Sequence, residues 1–255
     1  MNTQKPSSPA NWPVGWTVHH VAETGSTNDD LFAAARAGAA HRTVIVADYQ
    51  TAGKGRVDRR WDAQRGANLL VSLLFRIRQH SAVDDANASD AAARYTQLVA
   101  LACREACTTL AGITPTLKWP NDLLIENQKL AGLLAVASPA ERFVVVGIGV
   151  NVGWAPEGAV ALHHVASARV TPHELLTDML RNIDQLVKES VPQTHARYVS
   201  ALGTLGKRVR VDLLSGARIE GDAFDVDAMA RLLVRDDGGV VHTIDVGDVM
   251  HLRTT

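Results

Sequence analysis

The pattern of apolar and polar positions predicts several β-strands in the first two thirds of the chain. Continuous apolar runs at 43–47, 68–75 and 143–152 are typical of strands that are buried on both faces. Residues 117–136 contain a Pro-Asn-Asp turn former at 120–122, which predicts a hairpin. We therefore expect a sheet whose central strands lie inside the protein.

Three segments have the features of helices that cover such a sheet. Residues 29–37 follow a polar turn and stop at Gly38, a common residue just after a helix. Apolar residues recur with the helical period over about 91–110. A Thr-Pro-His-Glu capping box at 171–174 predicts a further helix that ends near Glu189. Helices and mixed strands together predict an α+β fold.

The spacing of apolar and polar residues changes between Gly203 and Gly206. Beyond this point, short alternating segments recur, separated by turns such as Asp-Gly-Gly, and this pattern predicts a small β-barrel. The chain is therefore divided into a tail at 1–14 that is expected to be disordered, a first domain at 15–203 and a second at 206–255.

Composition excludes several classes of protein. The 255 residues are 46% hydrophobic and 21% charged, with a formal net charge of −1, as in ordinary globular proteins. No apolar run is long enough to span a bilayer, and no N-terminal signal segment is present, so we predict a cytoplasmic protein. A near-neutral charge argues against broad wrapping of nucleic acid. Cys103 and Cys107 lack a nearby histidine, and we expect two buried thiols.

A basic, glycine-containing loop lies between two of the predicted strands. Residues 53–60 hold four cations and two glycines. Glycine lets backbone N–H groups converge, and Lys and Arg add charge, so such a loop suits an anion. A solvated turn is the alternative. Neither common phosphate-loop pattern fits, because the P-loop pattern is missing and the third glycine of the dinucleotide pattern is Asp58.

Three further groups of polar residues stand out. Ser-Thr-Asn at 26–28 precedes a predicted helix, but a helix cap explains only one of the three side chains, and a polar ligand is the alternative. Lys129 is either an exposed residue at a strand end or a ligand contact beside Gly132, where a close approach is possible. Asn151, near the end of a buried strand, bonds either the backbone or a ligand.

Four segments, in this order and spacing, resemble the biotin protein ligases. The resemblance covers about residues 17–252, and the Lys-Trp-Pro-Asn-Asp sequence followed by Lys-x-x-Gly is its most specific part. The matching segments are Gly25-Ser26-Thr27-Asn28, Gln50 to Trp61, Lys118-Trp119-Pro120-Asn121-Asp122 with Lys129-Leu130-Ala131-Gly132, and Gly147-Ile148-Gly149-Val150-Asn151.

This resemblance implies a fold and a reaction. The fold would be α+β, with a mixed sheet flanked by helices, as in class II synthetases, and a small C-terminal SH3-like barrel. The enzyme would activate biotin with Mg-ATP as biotinyl-5′-AMP, and then transfer it to a lysine of a biotin carboxyl carrier protein or domain of an acyl-CoA carboxylase. Mg²⁺ would enter with ATP, with no fixed metal site on the protein.

The resemblance also implies roles for individual residues. Catalytic roles fall to Lys129, Arg56 and Asp122. Biotin would be bound by Ser26, Thr27, Asn28, Gln50, Gly53, Lys54, Gly55, Arg56, Lys129, Gly132 and Gly149. ATP or the adenylate would be bound by Lys54, Arg56, Arg59, Trp61, Lys118, Asn121, Lys129 and Asn151. Of the biotin-binding residues, Ser26, Thr27, Asn28 and Gln50 would form hydrogen bonds with the ureido ring.

Two residues of the basic loop depart from the family pattern. Lys54 stands where the family usually has arginine, which keeps the charge but loses the bidentate fork. Asp58 stands where glycine is common, although Asp tolerates a left-handed backbone better than most residues. We expect both changes to affect the behaviour of the loop more than the class of reaction.

Two other functions compete with biotin ligation. Lipoate or octanoate ligases share the catalytic fold and the Lys-x-x-Gly element, but lack Lys-Trp-Pro-Asn-Asp. A biotin-responsive transcriptional regulator would need an N-terminal DNA-binding domain, and only a short tail precedes Trp12. We therefore expect no DNA or membrane partner, and a monomer or weak homodimer.

Overall fold

A computed structural model describes most of the chain. The described residues are 12–56, 59–77, 88–213, 215–245 and 247–252. Asp58 and most of the tail expected at 1–14 lie outside them, so those expectations stay untested.

The secondary structure comprises helices and strands that are numbered here in chain order. The strands are β1 (Thr17–Val21), β2 (Thr43–Ala47), β3 (Leu69–Arg76), β4 (Thr116–Lys118), β5 (Asp122–Ile125), β6 (Gln128–Ser138), β7 (Phe143–Val150), β8 (Lys207–Asp212), β9 (Arg218–Val226), β10 (Leu232–Arg235), β11 (Val241–Ile244) and β12 (Asp248–His251). The helices are α1 (Thr27–Arg36), α2 (Ala88–Ala111), α3 (Leu162–Val165), α4 (Pro172–Leu186) and α5 (Val191–Ala201).

The strands form two sheets. The larger has the order β1-β2-β3-β7-β6-β5-β4, in which β1 and β2 are parallel and the other neighbours are antiparallel. The smaller has the order β11-β10-β9-β8-β12 and is antiparallel throughout. The long apolar run of β7 lies at the centre of the larger sheet, which explains why it lacks polar alternation. The α+β fold with a mixed sheet is confirmed.

The two faces of the larger sheet have different covers. Helices α2 and α4 pack over one face and share its large core, and α5 packs against α2. Helix α1 covers the other face, where Leu31 contributes to a small core with Leu74 and Phe143. Because α1 is short, part of its face of the sheet is free to form a cavity. None of the described helices has both the length and the apolarity to cross a membrane.

Two features differ from the sequence-based expectation. Helix α5 was not predicted, because its apolar spacing is irregular, although Ser190 and Gln193 form a capping box at its start. The single hairpin expected at 117–136 is two successive hairpins, β4–β5 and β5–β6. The first turns at Trp119, Pro120 and Asn121, just before Asp122, and the second at the polar residues Glu126 and Asn127, just before Lys129.

The smaller sheet docks onto the larger one around Trp119. This buried indole donates from Nε1 to the backbone oxygen of Ala230 at 2.7 Å, and its backbone N–H donates to Thr204 Oγ1 at 3.0 Å. His251 Nε2 lies 3.3 Å from the same hydroxyl, and burial, with Lys207 and Lys118 nearby, lowers the pKa of His251 to about 4. These hydrogen bonds, which include a neutral His251, join the two sheets around Trp119. The domain division at 203–206 stays a prediction.

Candidate active site

A cavity opens on the face of the larger sheet that α1 partly covers. Side chains alternate along a strand, so on β3 Leu73 joins the large core while Leu74 joins the small core under α1. The same alternation places Ser72 on the α1 face, where it lines the cavity. Gly147, its partner across β7, lines the cavity too and leaves space there.

One end of the cavity is a buried network of neutral polar groups. Gln50 Oε1 accepts from the backbone N–H of Thr27 at 2.7 Å and from its hydroxyl at 3.0 Å. Thr27 Oγ1 lies 2.8 Å from Ser72 Oγ, which donates to Asn28 Oδ1 at 3.0 Å. Asn28 Nδ2 donates to the backbone oxygen of Leu134 at 3.1 Å. These contacts fix the orientation of each side chain.

Ser26 is the N-cap residue of α1, yet its side chain makes no capping hydrogen bond. Thr27 and Asn28 lie inside the first turn of the helix and direct their side chains to β3. All three residues are buried and line the cavity. Helix capping therefore does not explain this polar cluster, and the ligand alternative is the better interpretation.

The other end of the cavity is charged. Lys129 Nζ lies 2.7 Å from Asp122 Oδ1, and both side chains are partly exposed. This is an ion pair without an aligned hydrogen bond, so Asp122 Oδ1 has no donor of good geometry among the described residues. Arg56 donates to Asn121 Oδ1 at 3.3 Å. Burial lowers the pKa of Arg56, and the carboxylates of Asp122 and Asp248 oppose that shift.

A β-bulge brings Lys129 to the cavity. Lys129 and Gly132 are three residues apart on β6, so regular alternation would put them on opposite faces. The register between β5 and β6 shifts at Leu123 and Leu124, which adds one residue on β6. Lys129 Nζ consequently reaches the face of Gly132, where a Cβ atom would lie 3.0 Å from it.

The basic loop folds over the cavity and is held from both sides. Lys54 Nζ forms an ion pair with Asp29 of α1 at 2.6 Å. Arg59 pairs through both terminal nitrogens with Asp248, which belongs to β12 of the smaller sheet. The two sheets therefore share this site, because Asp248 itself lines the cavity.

Trp61 lines the cavity and packs against Gly149. A Cβ atom on Gly149 would lie 2.4 Å from its indole ring, and Lys129 Nζ lies 5.6 Å from the ring centroid, a cation–π contact. Its Nε1 is buried with no hydrogen-bond partner among the described residues. Gly149 therefore makes room for this aromatic ring beside Lys129.

Most of the residues that the sequence singled out meet in this cavity. Those that line it are Ser26, Thr27, Asn28, Gln50, Lys54, Gly55, Arg56, Arg59, Trp61, Lys118, Asn121, Asp122, Lys129, Gly132 and Gly149. Gly53 and Asn151 are not in the lining. Gly53 packs against the backbone of Trp61, where a Cβ atom would lie 2.7 Å from the oxygen. Asn151 bonds the backbone oxygen of Lys129 and the side chain of Asn68.

Among the lining residues to which the sequence analysis gave no role, three bear on the chemistry of the site. Ser72 is a lone hydroxyl within the apolar run of β3, and that exception was a usable signal. Gly147 was part of a matching segment but had no role assigned. Asp248 gave no local signal, because only the docking of the smaller sheet brings it to the loop.

This arrangement suits an elongated ligand with two different ends. The neutral end offers fixed oxygen atoms to a polar, uncharged group. The charged end presents Lys129 and Arg56, which attract anions, next to the carboxylate of Asp122. Fixed cations between two anionic groups lower the barrier to their reaction.

Models of two protein families match the chain. The biotin/lipoate A/B protein ligase family matches residues 24–152, and the biotin protein ligase C-terminal domain matches residues 204–252. Among curated proteins, the chain is 37% identical over 252 residues to a biotin--[acetyl-CoA-carboxylase] ligase of Mycobacterium tuberculosis, covering 94% of this chain and 91% of that protein. It is 31% identical over 222 residues to the bifunctional ligase/repressor BirA of Bacillus subtilis, but covers 65% of it.

Solved structures agree with these matches. The biotin protein ligase of Aquifex aeolicus, in complex with biotin and ATP, superposes with a TM-score of 0.75 at 25% identity, covering 93% of this chain and 99% of that one. The biotin protein ligase of Leishmania major, in complex with biotinyl-5-AMP, superposes with a TM-score of 0.63 at 21% identity, covering 89% and 98%. The second likeness supports the fold alone.

Proposed function

The chain belongs to the biotin/lipoate A/B protein ligase family, and from that premise we propose how its own residues perform biotin ligation. It is an ATP-dependent ligase that activates biotin and transfers it to a lysine of a carboxylase carrier protein. The observation that supports the residue roles best is the pairing of Lys129 with Asp122 at one end of a cavity whose other end is neutral and buried. The predicted resemblance, fold class and enzyme class are confirmed.

The first step joins two anions. An oxygen of the biotin carboxylate attacks the α-phosphorus of ATP, the bond from that phosphorus to the bridging oxygen breaks, and pyrophosphate leaves. We assign Lys129 to the space between the carboxylate and the α-phosphate, where its charge offsets their repulsion. Arg56 and Arg59 hold phosphate oxygens, with Lys54 beside them, and Lys118 contributes charge from β4.

The second step transfers the biotinyl group. The ε-amine of the carrier lysine attacks the carbonyl carbon of biotinyl-5′-AMP, the bond from that carbon to the phosphate oxygen breaks, and AMP leaves. The amine must lose a proton to form the amide. We assign this proton to Asp122, since its Oδ1 lies at the charged end without an aligned donor.

The remaining roles follow the two ends of the cavity. Ser26, Thr27, Asn28 and Gln50 bind the ureido ring, and Trp61 covers the aliphatic chain or the adenylate. Gly53 and Gly149 leave space for Trp61, Gly55 for the backbone of Arg59, and Gly132 for Lys129, while the contacts of these glycines with the ligand stay predictions. Asn121 accepts a hydrogen bond from Arg56. Asn151 has a backbone-bonding role in the structure, and its nucleotide contact stays a prediction.

Mg²⁺ is proposed to arrive with ATP. No group of three or more His, Cys, Asp or Glu side chains in the described ranges is arranged to hold a metal ion. The carboxylates of the cavity, Asp122 and Asp248, are paired with Lys129 and Arg59. Mg²⁺ commonly binds through substrate phosphates and one or two carboxylates. Asp122 and Asp248 would be the carboxylates nearest to an ion that the nucleotide carries, and its binding stays a prediction.

The acceptor is proposed to be the biotin carboxyl carrier domain of an acetyl-CoA or other acyl-CoA carboxylase. The name of the Mycobacterium relative supports this choice. A cytoplasmic location and a monomer or weak homodimer stay predictions. The lipoate and octanoate alternatives are not favoured, because the second family model is that of a biotin protein ligase C-terminal domain.

A direct assay tests the proposal. The protein is incubated with biotin, Mg-ATP and a biotin carboxyl carrier domain, and the carrier is then weighed by mass spectrometry. We expect a gain of one biotinyl group that requires ATP and the acceptor lysine. Parallel reactions supply lipoate or octanoate with a lipoyl domain. An unmodified carrier, or faster modification of the lipoyl domain, would contradict biotin ligation.

A further inference from the structure

Ser72 is the centre of the neutral network, although nothing in the basic loop or the Lys-Trp-Pro-Asn-Asp segment points to it. Its side chain is fully buried, at 0% exposure, in the middle of the apolar strand β3. Its hydroxyl contacts both Thr27 and Asn28, at 2.8 and 3.0 Å. A buried hydroxyl between two site residues is placed to control both of them.

Gly147 supports this arrangement from the next strand. It pairs with Ser72 across β3 and β7, and a Cβ atom on it would lie 2.8 Å from Asn28 Oδ1. Asn28 therefore fits only because position 147 has no side chain. Its amide orientation is fixed in turn by the hydrogen bond from Nδ2 to the oxygen of Leu134.

The number of protons in this network is limited. Three oxygen–oxygen contacts link Gln50 to Thr27, Thr27 to Ser72, and Ser72 to Asn28. Both ends are amide oxygens, which carry no proton, so the two hydroxyl groups supply two protons for three contacts. Both protons are used inside the network. Toward the cavity, its oxygen atoms can therefore only accept hydrogen bonds.

We propose that Ser72 is a positioning residue that makes this end of the cavity a selective acceptor of ligand N–H groups. This inference rests on the proposed function, under which those groups are the two N–H groups of the ureido ring of biotin. The Ser72 hydroxyl donates its one proton to Asn28, and the one proton of Thr27 goes either to Gln50 or to Ser72, so the oxygen atoms of both residues have only lone pairs left for the ligand. A ligand with a ring oxygen in place of an N–H group meets lone pairs and binds poorly.

The experiment compares the wild type with Ser72→Ala on three ligands. These are biotin and its two cyclic carbamate analogues, in each of which one ring N–H is replaced by oxygen. Initial rates of pyrophosphate release give KM and kcat for each ligand with saturating Mg-ATP. For the wild type, we expect KM to be about 10-fold to 100-fold higher for at least one carbamate than for biotin.

The Ser72→Ala variant shows whether Ser72 positions the ligand-binding side chains or only supports the structure. Ser72→Ala is expected to raise the KM for biotin about 10-fold, with kcat at saturating biotin changed less than about threefold. The variant is expected to change the KM for the poorly bound carbamate by less than about threefold, because the ring oxygen of that ligand cannot donate to the oxygen atoms of the network. Equal losses on all three ligands, or no loss on biotin, would overturn the proposal.

Two controls keep the outcome clear. Ser138→Ala removes another buried serine hydroxyl of the same sheet, one that bonds Glu141 at 2.8 Å, and is expected to leave every KM unchanged. Ser72→Cys has a side chain of similar shape with a weaker donor. It replaces the alanine variant if that variant unfolds, and it is expected to raise the KM for biotin by less than about 10-fold. A wild type that releases no pyrophosphate with biotin contradicts the proposed function itself, whatever the variants do.

Discussion

The two ends of the cavity differ in burial and in charge. At the neutral end, Thr27, Asn28 and Ser72 are 3%, 7% and 0% exposed and come from a helix start and a central strand. At the charged end, the side chains of Lys129 and Arg59 are 39% and 66% exposed. Under the proposed function, recognition falls to a buried, hydrogen-bonded network, and chemistry to charged side chains that are partly exposed.

The difference follows from the cost of burial. A neutral polar group can be buried at little cost when it is fully hydrogen-bonded, and it then holds one orientation. A buried charge needs a close partner and loses much of its hydration. Because Arg59 and Asp248 are exposed, their pairing is weak and exchangeable, which suits the proposal that this loop admits a nucleotide.

The largest effect is expected from the charged end. Lys129→Ala removes the cation assigned to the space between the two anions, and we expect biotinyl-adenylate formation, measured as pyrophosphate release, to fall at least about 1,000-fold. Because Lys129 is partly exposed, the thermal unfolding curve should hardly change. Lys188→Ala, which removes an exposed lysine that bonds Gln185, is the matched control. Near-normal pyrophosphate release by the first variant would refute the assignment.

An intermediate effect is expected from the neutral end. In Gly147→Ala, the new methyl group displaces Asn28, whose Oδ1 would lie 2.8 Å from the Cβ atom. We expect the KM for biotin to rise about 10-fold to 100-fold, because the network loses its alignment. The KM for ATP should stay unchanged, since Gly147 lies at the opposite end from the phosphates. A rise in both constants would show that the two ends are not independent.

The smallest effect is expected where the two sheets meet. Asp248→Asn frees Arg59 from its carboxylate, so at low ionic strength the KM for ATP should fall about twofold to threefold. Salt screens exposed pairs, and the difference from the wild type should therefore disappear at high ionic strength. The KM for biotin, measured in parallel, should be the same for the variant and the wild type at both ionic strengths. A higher KM for ATP would indicate that Asp248 instead orients Arg59 for the phosphates.

Much of the site was predictable because its residues lie in short, unusual segments. The basic loop, the turn at 26–28 and the Lys129 segment each broke the surrounding pattern, and together they indicated a family. Ser72 was harder, because one hydroxyl within an apolar strand is compatible with several roles. The charge of Arg59 was visible in the sequence, but its partner Asp248 is 189 residues away.

The sequence by itself determined the elements, the likeness to a family and the residues that can carry charge or hydrogen bonds, because these depend on local pattern and residue type. Tertiary structure alone decided which of them meet. The bulge between β5 and β6 turns Lys129 toward Gly132, against the alternation that its spacing predicts. Asn151 equally depends on the fold, where packing directs its amide to the backbone of Lys129. Register and docking are properties of the whole sheet, and no single segment encodes them.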